Sequence, residues 1–202
     1  LALSLMSSCQ EEEYLLDNSQ VKTNMVITAT LSETPTTRTQ LSSDFKVLWS
    51  ANDAISTFNN GKHYKYLLED GGAGKVTADF IYDPTFGSIS GGIETGINKD
   101  IYIGVYPFNV NTKVSKSDEN YEISTAIPVT QTYAASSFGQ DASPMVAVNQ
   151  YTPEFSFKNV GSMLVMPLKG KGTITSAVLE SKQHAIAGSA IVTAVAENNW
   201  IP

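Results

Sequence analysis

Four features of this 202-residue chain could carry chemistry: a lone cysteine, two histidines, a glycine-rich turn ending in lysine, and a polar loop holding the first arginine. Cys9 follows Leu1-Ala2-Leu3-Ser4-Leu5-Met6-Ser7-Ser8, a run that passes from apolar to small. That order fits the end of a secretory hydrophobic region entering a lipobox. A small residue before the cysteine opens the bond to a signal peptidase, and the thiol then takes the lipid. Two or three acyl chains would anchor the protein stably, since each buried CH₂ contributes about 0.8 kcal/mol. The bland alternative is a buried N-terminal strand with an incidental cysteine. On the lipoprotein reading the sequence starts inside the signal peptide, without its charged region and starting Met.

The catalytic constellations fail on inspection. Gly71-Gly72-Ala73-Gly74-Lys75-Val76 invites a P-loop reading, but Glu69 stands where the first glycine belongs and Val76 replaces the Mg²⁺-binding Ser/Thr. A hairpin turn is expected there. The segment from Gly87 to Gly96 has no serine at the centre of a G-x-S-x-G, so it is no nucleophile elbow. His63 and His184 are far apart, and each lacks a ligand partner at metal-site spacing. Both are expected to be ordinary strand-edge or loop residues. Asp118-Glu119-Asn120 could bind calcium weakly, although a solvated loop is the simpler expectation. Carboxylates form no evident acid/base pair. The Tyr and Trp side chains could build a sugar-stacking face; in a sandwich they more often serve as core or cross-strand pairs. The expectation is no catalytic residue, no cofactor and no metal: the chain is not read as an enzyme.

What must be positioned is a set of strands. Hydrophobic residues make up 42% of the chain and charged residues 16%, enough for a core and too little charge for a disordered chain. With 13 basic against 20 acidic residues and no basic cluster, nucleic-acid binding is not expected. Plentiful Thr, Ser, Val, Ile, Tyr and Gly, without a long helical period, point to an all-β protein. A first strand over about 23–31 places Met25, Ile27, Ala29 and Leu31 on one face and Val26, Thr28 and Thr30 on the other. Ser32-Glu33-Thr34-Pro35-Thr36-Thr37-Arg38-Thr39 then breaks the alternation with a polar loop that a protease could enter.

Further strands follow at intervals of ten or so residues. Asp44 to Trp49 reads as a strand with Phe45, Val47 and Trp49 on one face, or as a helix capped by Asp44. Asn59-Asn60-Gly61-Lys62 is a tight-turn signal between alternating arms. Val76, Ala78, Phe80 and Tyr82 share a face, and Ile101 to Tyr106 is apolar on both faces and ended by Pro107, as a central strand would be. Tyr121–Ile127, Met145–Val148, a run from Phe155 and Phe157, Met163–Leu168, Ile174–Leu179 and Ser189–Ala194 complete the series. This pattern predicts an antiparallel β-sandwich. The organisation expected is a signal remnant, lipobox and tether over 1–22, an N-terminal sandwich over 23–150, and the truncated start of a second sandwich over 151–202.

Several segments in order resemble the fimbrillin family of Bacteroidales. They are Thr37-Arg38-Thr39; Trp49 with Asn52-Asp53-Ala54-Ile55; Tyr102 to Pro107; Ile127-Pro128-Val129-Thr130-Gln131; Ser143-Pro144-Met145-Val146-Ala147; Phe155-Ser156-Phe157-Lys158-Asn159 with Leu164 and Leu168; and Ala187-Gly188. Asn52 departs from the glycine the family often has there, but Asn also tolerates φ > 0. Gln10-Glu11-Glu12-Glu13 is either a merely solvated segment or similar to the acidic export tag of surface lipoproteins in related bacteria.

The resemblance implies transthyretin-like β-sandwiches and export as a lipoprotein, lipidated at Cys9, to the cell outer membrane. It implies cleavage at Arg38 by an arginine- or lysine-specific protease. The first strand, with Met25, Ile27, Ala29 and Leu31 as its pocket-filling residues, would then be displaced and replaced by a C-terminal strand of the next subunit. That donor strand is not expected within these 202 residues. The function implied is a structural or adhesive fimbrial (pilus) subunit or pilus-associated lipoprotein. Its partners would be other fimbrial subunits, the outer membrane, and host or bacterial surface ligands. The alternative is a surface glycan-binding lipoprotein of β-sandwich type.

Overall fold

Most of the alternation read in the sequence is realised as strands among the described residues. A computed structural model describes residues 22–31, 40–41, 47–87, 92–95, 101–117, 120–134, 138–139, 141–162 and 169–195. The strands are β1 Lys22–Asn24, β2 Val26–Leu31, β3 Gln40–Leu41, β4 Val47–Leu48, β5 Ala54–Asn59, β6 Lys62–Leu68, β7 Thr77–Tyr82, β8 Ile93–Thr95, β9 Ile101–Tyr106, β10 Val114–Ser117, β11 Asn120–Ile127, β12 Met145–Gln150, β13 Phe155–Asn159 and β14 Gly188–Val195. No helix occurs among the described residues, and the protein is all-β.

Seven strands close into a barrel in the order β12-β13-β2-β7-β6-β5-β9, with β9 pairing back onto β12. Every neighbour pair is antiparallel except β13 and β2, which run parallel. Tyr66, Phe80, Tyr102, Ile55, Leu31, Phe155 and Phe157 fill the interior and are fully buried. Local turn chemistry sets the register where strands are sequential. Asn60 and Gly61 take φ of 49° and 72°, the two positive values a two-residue hairpin needs, and they pair Asn59 with Lys62.

Strand β9 explains the second layer. Tyr102 and Tyr106 belong to the barrel core, whereas Ile103 and Val105 join a separate cluster with Ile123. A small sheet, β10-β11-β14, supplies that cover through Val114, Tyr121, Ile123, Val192 and Ala194. A strand buried on both faces has to be apolar on both. The arrangement is thus a closed sheet with a three-stranded layer on one side, not plainly two facing sheets. Between the two tyrosines sits Gly104. A Cβ there would lie 2.8 Å from Phe157 Cζ and 2.9 Å from Phe155 Cδ1, so the bare backbone is what lets both rings pack across the barrel.

Three further expectations meet the structure here. The boundary expected near residue 150 falls between β12 and β13, which pair with each other in the one closed sheet. A division there would remove Phe155 and Phe157 from the core they fill. Ile174–Leu179 forms no strand: Ile174, Val178 and Leu179 are exposed, and no neighbouring strand pairs with them among the described residues. An apolar alternation without a partner ladder does not make a strand. Finally, the strand expected over 23–31 is two elements. β1 pairs with β8, β2 pairs with β7, and the chain changes partner at Met25.

Candidate functional site

The slot around β2 is built by one side chain in two facing inward. Ile27, Ala29 and Leu31 are buried, and Ala29 has 0% exposure. Met25 does not share that face: it sits at the break before β2, 48% exposed, while its carbonyl accepts the Tyr82 N–H at 2.8 Å. Its expected place among the pocket-filling residues is corrected accordingly. On the outer face Thr28 Oγ1 donates to Asp79 Oδ1 at 2.7 Å, and the Thr30 and Thr77 hydroxyls lie 3.0 Å apart.

Both edges of β2 are used. On one side it runs antiparallel to β7, with Ile27 opposite Phe80 and Ala29 opposite Ala78. On the other it runs parallel to β13, with Ala29 beside Phe155 and Leu31 beside Phe157. The last inward residue is fixed by the Leu31 N–H, which donates to Val76 O at 3.0 Å. A strand placed between two others is lost only with both ladders.

Trp49 adds a hold that sequence reasoning missed. Its indole N–H donates to the Ala29 carbonyl at 3.3 Å. The ring has no exposed surface and packs edge-on against Phe80 at 4.9 Å, Tyr106 at 5.8 Å and Phe157 at 5.8 Å. The glycine-rich segment that failed as a P-loop positions this residue. Gly71 and Gly74 take φ of 82° and 80°. The Gly74 N–H donates to Trp49 O at 2.8 Å, and the Trp49 N–H donates to Lys75 O at 2.9 Å. Asn52, at φ 68°, completes the turn after Trp49. It brings Asp53 under Tyr106, whose hydroxyl donates to Asp53 Oδ1 at 3.0 Å, while the Ser50 N–H donates to Oδ2 at 2.7 Å. Burial and then the negative Asp53 push the Tyr106 phenol far above its ordinary range, so it stays a neutral donor. These contacts make an anchored wall for β2.

Among the described residues the other candidate groups converge on no second centre. His63 faces Phe58 across the hairpin, stacked at 4.2 Å, with Phe86 at 4.7 Å and Phe108 at 5.9 Å. Its Nε2 is buried without a hydrogen-bond partner among the described residues, and burial pulls its pKa down to about 4. Lys65 Nζ stands 5.1 Å from the centre of the Phe108 ring and 2.8 Å from Asp83 Oδ2. Asp83 also accepts the Thr85 N–H at 2.9 Å and its hydroxyl at 2.6 Å. The bonds from Lys65 and Thr85 hold its carboxyl down at about 2. Only the Phe58–His63 pairing could have been found beforehand, from the register that Asn60-Gly61 imposes. His184 is exposed on the segment before β14.

Among the described residues no group of three or more His, Cys, Asp or Glu is placed to hold a metal ion. Tyr64, Tyr66, Tyr82, Tyr102 and Tyr106 are buried with Trp49, whereas Tyr133 and Tyr151 are exposed. Cys9, Arg38, Asp118 and Glu119 lie outside the described residues.

No family model, curated protein or solved structure matches the chain.

Proposed function

We propose that this chain is a fimbrial subunit or pilus-associated surface lipoprotein of fimbrillin type, assembling by protease-triggered strand exchange. In this reading the barrel and its covering layer are the family's N-terminal transthyretin-like unit. Cys9 carries the lipid that holds the precursor at the outer membrane, and Arg38 is the cleavage point. The partners are other subunits of the fibre and surface ligands of host or bacterial cells.

One observation carries the reading. β2 is a short strand near the start of the chain, laddered on both sides, and it gives Ile27, Ala29 and Leu31 to the core. Its removal would open a groove with two unpaired edges and three empty inward positions. A strand of another chain could satisfy both, since main-chain bonds supply affinity and alternate pockets supply register. Eight residues, 32–39, separate β2 from β3, and they include Arg38, the only arginine in the sequence. An arginine-specific protease therefore has one site within these 202 residues.

The test compares wild type with Arg38→Ala in the native host, followed by mass spectrometry of sheared surface fibres. Wild type is expected in the fibres with Thr39 as its first residue, and the variant is expected to stay cell-associated. Full incorporation of Arg38→Ala into fibres would overturn the reading.

A further inference from the structure

We propose that the β2 slot chooses its incoming strand by size at one inward position, the one Ala29 occupies, and that the partner is an apolar strand of another subunit with the inward order large, small, large. This rests on β2 being exchangeable and specifies what may replace it. The inward row at Ala29 runs Phe155, Ala29, Ala78 across three strands, so two methyl groups stand beside one ring. The rows before and after differ: Ile27 faces Phe80, and Leu31 stands beside Phe157.

The reason for the small residue is Trp49. Its indole N–H reaches the Ala29 carbonyl at 3.3 Å. A buried ring that reaches a main-chain oxygen of a strand has to lie against that strand's inner surface. A residue there without a γ carbon leaves it the space. Phe80, Tyr106 and Phe157 pack edge-on around the indole, so it cannot retreat into the barrel without moving buried rings. An incoming Leu or Ile at this row would have to displace the indole and lose its bond to the strand. An incoming Ala or Gly keeps both. The same position fixes register, because a slip by two residues would bring Ile27 or Leu31 under the indole.

The experiment uses the full chain cut after Arg38 by an arginine-specific protease, with the N-terminal piece still bound. Fluorescent peptides spanning 23–33 compete for the slot, read by anisotropy: the native sequence, Ala29→Gly and Ala29→Leu. The native and Gly peptides are expected to enter, and the Leu peptide to bind roughly 10- to 100-fold more weakly, the range that overpacking a buried site produces. In cut Trp49→Phe protein that ratio is expected to shrink, because the smaller ring frees space. Equal binding of Leu and native peptides would overturn size selection while leaving exchange intact. If no peptide enters, the exchange reading itself fails, and the inference falls with it.

Discussion

Gly104→Ala offers the sharpest test of how the barrel is filled. The added Cβ would lie 2.8 Å from Phe157 Cζ, 2.9 Å from Phe155 Cδ1 and 3.2 Å from Phe157 Cε1. Both rings have essentially no exposed surface, so neither can swing outward. Overpacking of this kind costs about 1–3 kcal/mol. Alanine offsets part of that by restricting the unfolded chain, about 0.4–1 kcal/mol where its backbone fits. Gly104 lies outside the left-handed region, so that credit applies. The expected net loss is about 1–2 kcal/mol, a melting shift of roughly 2–8 °C for a chain of this size. Urea unfolding followed by circular dichroism measures it, with the slope unchanged. The companion variant Phe157→Leu removes the ring that the new methyl meets. The double variant should recover about 1 kcal/mol relative to the sum of the single changes. Strict additivity, or a Gly104→Ala protein as stable as wild type, would refute the packing account.

Two further predictions concern pH. His63 is held at about 4 in the folded protein against an ordinary 6.5, so the unfolded chain binds the proton first; stability is full above 6.5 and falls as the pH drops towards 4. Replacing it by Phe should flatten that part of the stability profile measured by urea titration, and a slope unchanged in His63→Phe would show that the aromatic cluster is not its source. Asp83 is lowered from 3.8 to about 2, so its contribution is present above 3.8 and lost as the pH falls towards 2. Asp83→Asn should lower stability at neutral pH and leave the acid limb shallower below 3.8, and Lys65→Met should do the same more weakly, because the two Thr85 bonds remain.

Sequence patterns revealed those elements whose causes are local. Ala78, Phe80 and Tyr82 alternate inward as their spacing implies, and Asn60-Gly61 makes the hairpin its residue types favour. Ile103 and Val105 announced a strand covered on both sides, though not what covers it. The parallel meeting of β2 and β13 left no trace in either segment, because a pairing between distant strands is set by the closure of the whole sheet. Met25 continues the alternation of β2 in sequence, but the ladder to β8 ends at Asn24 and the phase does not carry across the break. At the candidate site the inward residues Ile27, Ala29 and Leu31 were legible from period alone. The indole bond to Ala29 was not, since it depends on a turn placed by Gly74 and Lys75 well downstream.

The parallel ladder also bears on the order in which the molecule is completed. Ala29 cannot find Phe155 until β13 has been supplied, so a polypeptide delivered amino end first must carry β2 with one flank bare until then. Contacts of such high sequence separation form late, after loop closure has been met by nearer pairings. The final seam of the barrel is thus the junction of its earliest and latest strands. A folding helper that shields an apolar ribbon would be most useful at that stage, before the seam shuts.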